Sequence, residues 1–454
     1  MSPSSVLICA LLFTNQAPDA KDTHFEPMDV FELEVAANPQ LSPSGEVLVY
    51  ERRFMDVMAD RQRSNLWTLN VDGSEHRPLT TGNQNDGAPL WSPDGTRLLY
   101  RSSTDGSSQL YVRWMDTGQT AKVTNLTSGP SAASWSPNGE WVAFTAFVEA
   151  ESESFGDLPT KPEGATWAPA AKVITQLNYR SDGAGYLTEG FEQLFVVPAE
   201  GGTARQLTSG AFDVSGPAAW SHDGTQLFVS SNRRSDADLE PVDSELYRVA
   251  LDDGELTALT ERYGPDQHPL VSPDGRLIAY LGHDDTLLGY QPNALQVMGV
   301  DGQAPRNLTA ALDRNIDTMQ WAKDGSGLFV SFADQGETKL AFVPLSGDLE
   351  VRASGVGGTS LGRPYSSGSF TVGPRGVLVF TKTTPARPSD LAILRPGDKA
   401  STQLTHLNED LLLHKQLGKV TELRFKCSRP VRQAKLAPSN QMKGADHVNR
   451  RHGM

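Results

Sequence analysis

Cysteine is nearly absent. The 454 residues contain two, Cys9 and Cys427, and neither lies between residues 21 and 418. That long body therefore has no disulfide framework and no thiolate zinc cluster. Long apolar runs are missing too. A spanning helix needs about 20 consecutive apolar residues, and the longest run, Val6 to Phe13, has eight, so no transmembrane segment is expected. Basic charge is also in short supply: 40 Lys and Arg against 55 Asp and Glu leave a net charge of −15. Without a basic footprint, nucleic acid is excluded as a partner class. The nine histidines include no helical His-x-x-x-His pair. Only a fold that gathers ligands from distant segments would bring His222, His268 and His283 together. No metal and no cofactor is expected.

What the chain does have is turns. It holds 41 Gly and 29 Pro, a composition that favours many short strands over long helices. Charge is uneven: residues 419–454 carry nine Lys or Arg and two Asp or Glu, leaving the rest strongly acidic. Near the N-terminus, Val6 to Phe13 resembles the apolar region of a signal peptide, with Ala20 ahead of a cleavage point. No Lys or Arg precedes that run, and Pro18 stands where a small residue is wanted. Residues 1–28 are read as a signal peptide and lead-in, so an exported protein, periplasmic or secreted, is expected.

A short unit recurs along the chain: an apolar or aromatic residue, then Ser-Pro-Asp-Gly or a variant, then an apolar strand. It reads Leu41-Ser42-Pro43-Ser44-Gly45, Trp91-Ser92-Pro93-Asp94-Gly95 and Trp135-Ser136-Pro137-Asn138-Gly139. It continues as Trp220-Ser221-His222-Asp223-Gly224, Val271-Ser272-Pro273-Asp274-Gly275, Trp321-Ala322-Lys323-Asp324-Gly325 and Val372-Gly373-Pro374-Arg375-Gly376. Ser at the first corner, Pro at the second and Gly at the fourth suit a type I turn. The runs that follow, such as Leu98-Leu99-Tyr100 and Leu277-Ile278-Ala279-Tyr280, read as strands buried on both faces. A second unit keeps step: a strand, a glycine turn and often Leu-Thr, as in Leu194 to Val197 with Gly201-Gly202 and Leu207-Thr208.

Most copies are about 50 residues apart. One interval is much longer yet contains a single partner strand, so residues 148–190 are read as an insertion in the third repeat, forming a loop or short helices. A repeat of roughly 50 residues with about four strands is a propeller blade. The fold class is all-β: a seven-bladed β-propeller of about four antiparallel strands per blade, over residues 29–418.

The Trp-Ser-Pro-Asp-Gly blades resemble the propeller of the prolyl oligopeptidase family of serine peptidases, and also TolB-like propellers. The count of seven favours the peptidases, in particular their dipeptidyl and acylaminoacyl peptidase members. So does the insertion Thr166-Trp167-Ala168-Pro169 to Tyr179-Arg180-Ser181-Asp182-Gly183-Ala184-Gly185-Tyr186-Leu187, which is similar to a segment those enzymes carry in the third blade. The resemblance covers about residues 29–426. It implies a propeller that caps an α/β-hydrolase domain and screens short peptides for an acyl-enzyme mechanism. Val420 to Ser428 is similar to the strand leading into that domain. Beyond it the family's oxyanion loop and nucleophile elbow are absent. Residues 419–454 are therefore read as a lead-in followed by a basic tail, either disordered or out of frame, and the chain is expected to be catalytically incomplete.

Gly358-Thr359-Ser360-Leu361-Gly362 matches Gly-x-Ser-x-Gly, but no buried strand precedes it and Arg363-Pro364 blocks a helix after it, so no catalytic residue is assigned. Glu149, Glu151 and Glu153 alternate with Ala150 and Ser152. The family resemblance makes them candidates to hold a substrate's terminal amine, against a solvated acidic loop. Two other function classes stay open: a TolB-like protein-binding module of the cell envelope, and a stand-alone propeller enzyme such as a polysaccharide lyase with dispersed histidine ligands.

Overall fold

A computed structural model describes residues 23–150, 159–168, 173–359, 367–423 and 434–436. Seven four-stranded antiparallel units follow one another over residues 35–78, 86–122, 131–206, 214–258, 266–307, 316–356 and 370–403. They are blades 1 to 7 of the expected propeller. Five are separate sheets, and blades 6 and 7 are joined into one eight-stranded sheet through the pair Val356 and Lys382. In every blade the strands lie side by side in chain order. Contacts between blades run through the first strands, including those that link blade 7 to blade 1, so the first strands line a central channel and the ring closes.

The recurrent turn has one internal logic. In blade 2 the amide of Gly95 donates to the Ser92 carbonyl at 2.9 Å, closing the turn. The Ser92 hydroxyl accepts from the Arg97 amide at 2.9 Å and donates to Asp94 at 2.5 Å. Asp94 in turn accepts from the Thr96 amide at 3.1 Å. These hydrogen bonds, that from Ser92 foremost, lower the Asp94 carboxyl pKa to about 2. Glycine ends the motif because its φ is positive, +73° at both Gly95 and Gly275, where an L side chain is strained.

The seven turns also touch one another. A methyl group on Gly95 would lie 3.3 Å from Pro43 of the preceding blade, and one on Gly45 would lie 2.9 Å from Pro374 of blade 7. Pro93 faces Gly139, Pro137 faces Gly224, His222 faces Gly275 and Pro273 faces Gly325 in the same way. Only between blades 6 and 7 does the pattern change: Lys323 stands in the proline position, and Gly376 meets Phe329 instead. The motif therefore builds a collar around one mouth of the channel, with the strand residue Phe329 in place of a turn contact between blades 6 and 7.

The Leu-Thr step has its own physical reason. The fourth strands are short, and beyond them a threonine hydroxyl accepts the third strand's next amide. The amides of Leu66, Leu110, Leu194, Leu246, Leu295 and Leu391 donate to Thr80, Thr124, Thr208, Thr260, Thr309 and Thr405, each at 2.9 Å. The threonine then donates to the side chain preceding the leucine: Gln109 at 2.8 Å in blade 2, Gln193 at 2.7 Å in blade 3, Glu245 in blade 4 and Asp390 at 2.7 Å in blade 7.

The apolar core lies between blades. Ala279, Leu281, Leu295 and Val297 of blade 5 pack with Ile316, Met319, Leu328 and Val330 of blade 6. Trp91, Trp135 and Trp321, each just before a turn, donate their indole N–H to the preceding blade, at Gln40, Leu90 and Leu270, over 3.0 to 3.2 Å. At the closing seam, Ala36, Leu48 and Tyr50 of blade 1 pack with Val379, Leu391 and Ile393 of blade 7.

The insertion departs from the second strand of blade 3. Trp141–Glu149 pairs with Gly190–Pro198 along its whole length. Between them the described residues form loop and a two-stranded ladder, Arg180–Ser181 with Gly185–Tyr186, and no helix. Past the ring, Thr421–Leu423 pairs with Ala434–Leu436. This strand pair arises where the sequence shows no alternation, because backbone hydrogen bonding alone suffices for so short a ladder. The rest of the basic tail lies outside the described residues.

Two outcomes test this account. In Gly275→Ala the added carbon would lie 2.5 Å from the His222 Cβ in a left-handed backbone conformation. Thermal or urea unfolding should show a loss of at least about 1–2 kcal/mol. Glu245, by contrast, has a pKa raised from 4.5 to about 7, first by desolvation and further by Asp266 and Asp243, against the Thr260 hydrogen bond. Its contribution to stability is complete below the unfolded-state value and is lost as pH rises through about 7. Glu245→Gln carries the carboxamide of blades 2 and 3. It should raise stability at pH 8 by on the order of 1 kcal/mol and leave it unchanged near pH 4.

Candidate functional site

Antiparallel alternation gives the ring two unlike faces. The Ser-Pro-Asp-Gly turns all lie on one, the turn face. The other, the loop face, receives the connections between second and third strands and those between blades. It also receives the lead-in before Val35 and the segment after Gln403. There His24 bridges to Gln416, and the Lys415 ammonium pairs with Asp29 at 2.7 Å. Leu411 and Leu412 of the short helix Glu409–Leu412 pack on Leu33.

Apolar exposure is equally one-sided. Among the described large apolar side chains that are exposed, all but Val351 belong to loop-face segments. Met58 in the blade 1 loop is 93% exposed and Leu287 in the blade 5 loop is 76% exposed. Leu239 of the blade 4 loop, Trp167 and Tyr186 of the insertion and Leu413 near the C-terminal side join them. Single exposed apolar residues are normal on any protein, whereas a concentration on one face marks an interaction surface.

Where blades 1, 2 and 3 meet on this face lies a cavity of about 540 Å³. Its wall holds Glu51, Arg53, Arg63 and Arg101 together with Gln62, Ser103 and Ser108. Glu51 is buried, and its carboxylate accepts from the Asn38 carboxamide at 2.7 Å, the Ala88 amide at 2.7 Å and the Arg53 guanidinium at 2.8 and 3.0 Å. It thereby ties together two strained inner-strand positions, Asn38 with φ +46° and Ala88 with φ +50°. A methyl group on Gly87 would lie 2.9 Å from Glu51, which explains the glycine. Arg63 pairs with Asp56 at 3.2 Å. The Arg101 guanidinium has no hydrogen-bond or ion-pair partner among the described residues, and its side chain is exposed to the cavity. A second, smaller hollow of about 190 Å³ is lined mainly by apolar groups, including Phe25, Leu33, Pro388 and Leu417.

The glutamate trio is only partly placed. Glu149 ends the second strand of blade 3, exposed on the loop face and opposite Gly190. Glu151 and Glu153 lie outside the described residues, as does Ser360. The three histidines are dispersed. His222 stands at the turn face, His268 on the inner strand of blade 5, and His283 in a loop bonded to Asn293 at 2.8 Å. Partial desolvation holds the His268 pKa below its usual value, although the residue keeps contact with solvent. Among the described residues no group of three His, Cys, Asp or Glu is arranged to hold a metal.

Sequence reasoning missed Glu51 and Arg101. A signal for the bulges was present: Asn38, Ala88 and His268 each stand four residues before the turn serine and directly before a proline. Nothing in the linear pattern showed that a second-strand glutamate would bind two of them.

A profile described as TolB beta propeller domain matches residues 28–174. One described as dipeptidyl peptidase IV (DPP IV) N-terminal region matches residues 160–287. Dipeptidyl-peptidase 5 of Porphyromonas gingivalis is 25% identical over 429 residues, covering 89% of this chain and 59% of that protein. The uncharacterized peptidase YuxL of Bacillus subtilis is 27% identical, over 87% of this chain and 61% of that protein. The chain thus spans about three fifths of the length of these relatives. Among solved structures, the acylaminoacyl peptidase of Pyrococcus horikoshii superposes with a TM-score of 0.67 at 15% identity, over 88% of this chain and 56% of that one. At that identity the likeness is one of fold.

Glu51→Ala would leave the Arg53 charge unpaired and free both bulges. Denaturant unfolding should show a loss of about 2–4 kcal/mol, against a much smaller loss for Glu149→Ala at the exposed strand end.

Proposed function

We propose that this chain, a β-propeller of the prolyl oligopeptidase family of serine peptidases, is the substrate-gating part of an exported enzyme that cleaves short peptides. Its loop face would cover an α/β-hydrolase domain and leave a chamber between the two, so that only short or flexible peptides reach the nucleophile. The observation that carries this reading is the loop face itself, which collects nearly all the exposed apolar side chains and both junctions of the ring. Such a surface is costly in water and stabilising once covered. The relatives' greater length and their peptidase names support the same partner domain.

The described residues contain no nucleophile elbow, since the propeller has neither the long helix nor the buried parallel strand that one requires. The purified chain should therefore turn over no dipeptidyl chromogenic substrate. Ser360→Ala should change nothing, and a fluorophosphonate should label nothing. Labelling at Ser360 would overturn this reading. The DNA beyond codon 426, read in all three frames, should encode a hydrolase domain with Gly-x-Ser-x-Gly in a strand-turn-helix context. If it does not, the TolB-like profile match over residues 28–174 makes a binding module the better reading.

A further inference from the structure

We propose that the cavity at the junction of blades 1, 2 and 3 is a carboxylate-binding pocket for peptides, with Arg101 as the group that takes the charge. The inference rests on the peptidase reading and adds a specificity to it. The cavity opens on the loop face, where substrate would be enclosed, and about 540 Å³ is room for a few residues of extended peptide.

The charges on its wall are unequal in availability. Arg53 is neutralised by Glu51 at 2.8 Å, and Arg63 by Asp56 at 3.2 Å. Arg101 alone of the three has no counter-charge among the described residues. Around it are neutral donors with capacity to spare. Ser103 accepts from the Asn85 amide at 2.9 Å, which leaves its own proton free to donate. Ser108 and Gln62 make no hydrogen bond through their side chains among the described residues. Among the described residues the wall has no large apolar side chain.

A guanidinium presents parallel N–H groups that match the two oxygens of a carboxylate, and hydroxyl and amide donors complete its remaining lone pairs. One available positive charge fits one negative charge. A phosphate dianion would leave a charge uncompensated inside a strongly acidic protein. The carboxylate has two sources in a peptide, the C-terminus and an Asp or Glu side chain, and both present the same pair of oxygens.

Titration calorimetry on the full chain tests this. The probes are tetra-alanine as the free acid, its C-terminal amide, the amides of Ala-Ala-Glu-Ala and Ala-Ala-Gln-Ala, and inorganic phosphate. At least one carboxylate peptide should bind tenfold or more tighter than its neutral counterpart, and the preference should weaken with salt. Preference for the free acid assigns the C-terminus; preference for Glu over Gln assigns the side chain. Arg101→Gln should abolish the preference at an unchanged unfolding temperature, because the side chain is exposed, and Arg101→Lys should restore it only in part. Equal binding of acid and amide, a preference that survives Arg101→Gln, or phosphate binding tighter than every peptide would each overturn the pocket. So would a folded chain that binds none of the probes. None of these results touches the peptidase reading, which stands or falls on the hydrolase domain.

Discussion

A four-stranded sheet that is apolar on both faces has to be covered twice. In this protein each blade covers its neighbours, and everything else in the architecture follows from that demand. The second strands show the constraint most directly: Leu98 and Leu99 point to opposite sides of blade 2, and both are fully buried. No blade can satisfy this alone, and a linear stack would leave two end faces bare. Curving the stack until blade 7 meets blade 1 removes the ends. The seam is made of side chains and a few hydrogen bonds, with the Ser389 hydroxyl donating to the Ala36 carbonyl at 2.6 Å. Among the described residues no strand is exchanged across it.

The two faces of the ring answer different needs. On the turn face the chain reverses seven times in nearly the same way, each proline resting against the next blade's glycine. That repetition leaves little room for variation, since a side chain at the glycine meets a positive φ in every copy and, at Gly45 and Gly275, an atom closer than 3.0 Å as well. On the loop face the connections differ in length and character from blade to blade, from the two-residue reversal at Gln335 and Gly336 to the long insertion of blade 3. Loops held on a rigid scaffold are where binding functions usually reside. The exposed apolar groups, the arginine cavity and both junctions of the ring share this face.

Buried polar groups show how the repeat was adapted locally. The position before each third-strand leucine carries glutamine in blades 2 and 3, where a neutral carboxamide satisfies the threonine hydroxyl without a charge. Blades 4 and 7 carry Glu245 and Asp390 at the same place, and burial raises the pKa of both. A carboxylate that ionises with difficulty is a cost that glutamine avoids.

Much of this was legible in the linear chain. Ser, Pro and Gly at fixed offsets encode their turn through local backbone preferences, and recurrence near 50 residues in most copies implies similar units that must pack on one another. Blade number, the register of turns and the place of the insertion follow from short-range chemistry repeated seven times. The tertiary structure alone decided what depends on neighbours distant in sequence. Glu51 became the anchor of two blades because the bulge at Ala88, 37 residues away, brought its amide within 2.7 Å. Arg101 is left without a counter-charge among the described residues, while Glu51 holds Arg53 and Asp56 holds Arg63. Periodicity carries information about a residue's own strand and turn, while the sum of charges in a cavity is settled only when three blades converge on it.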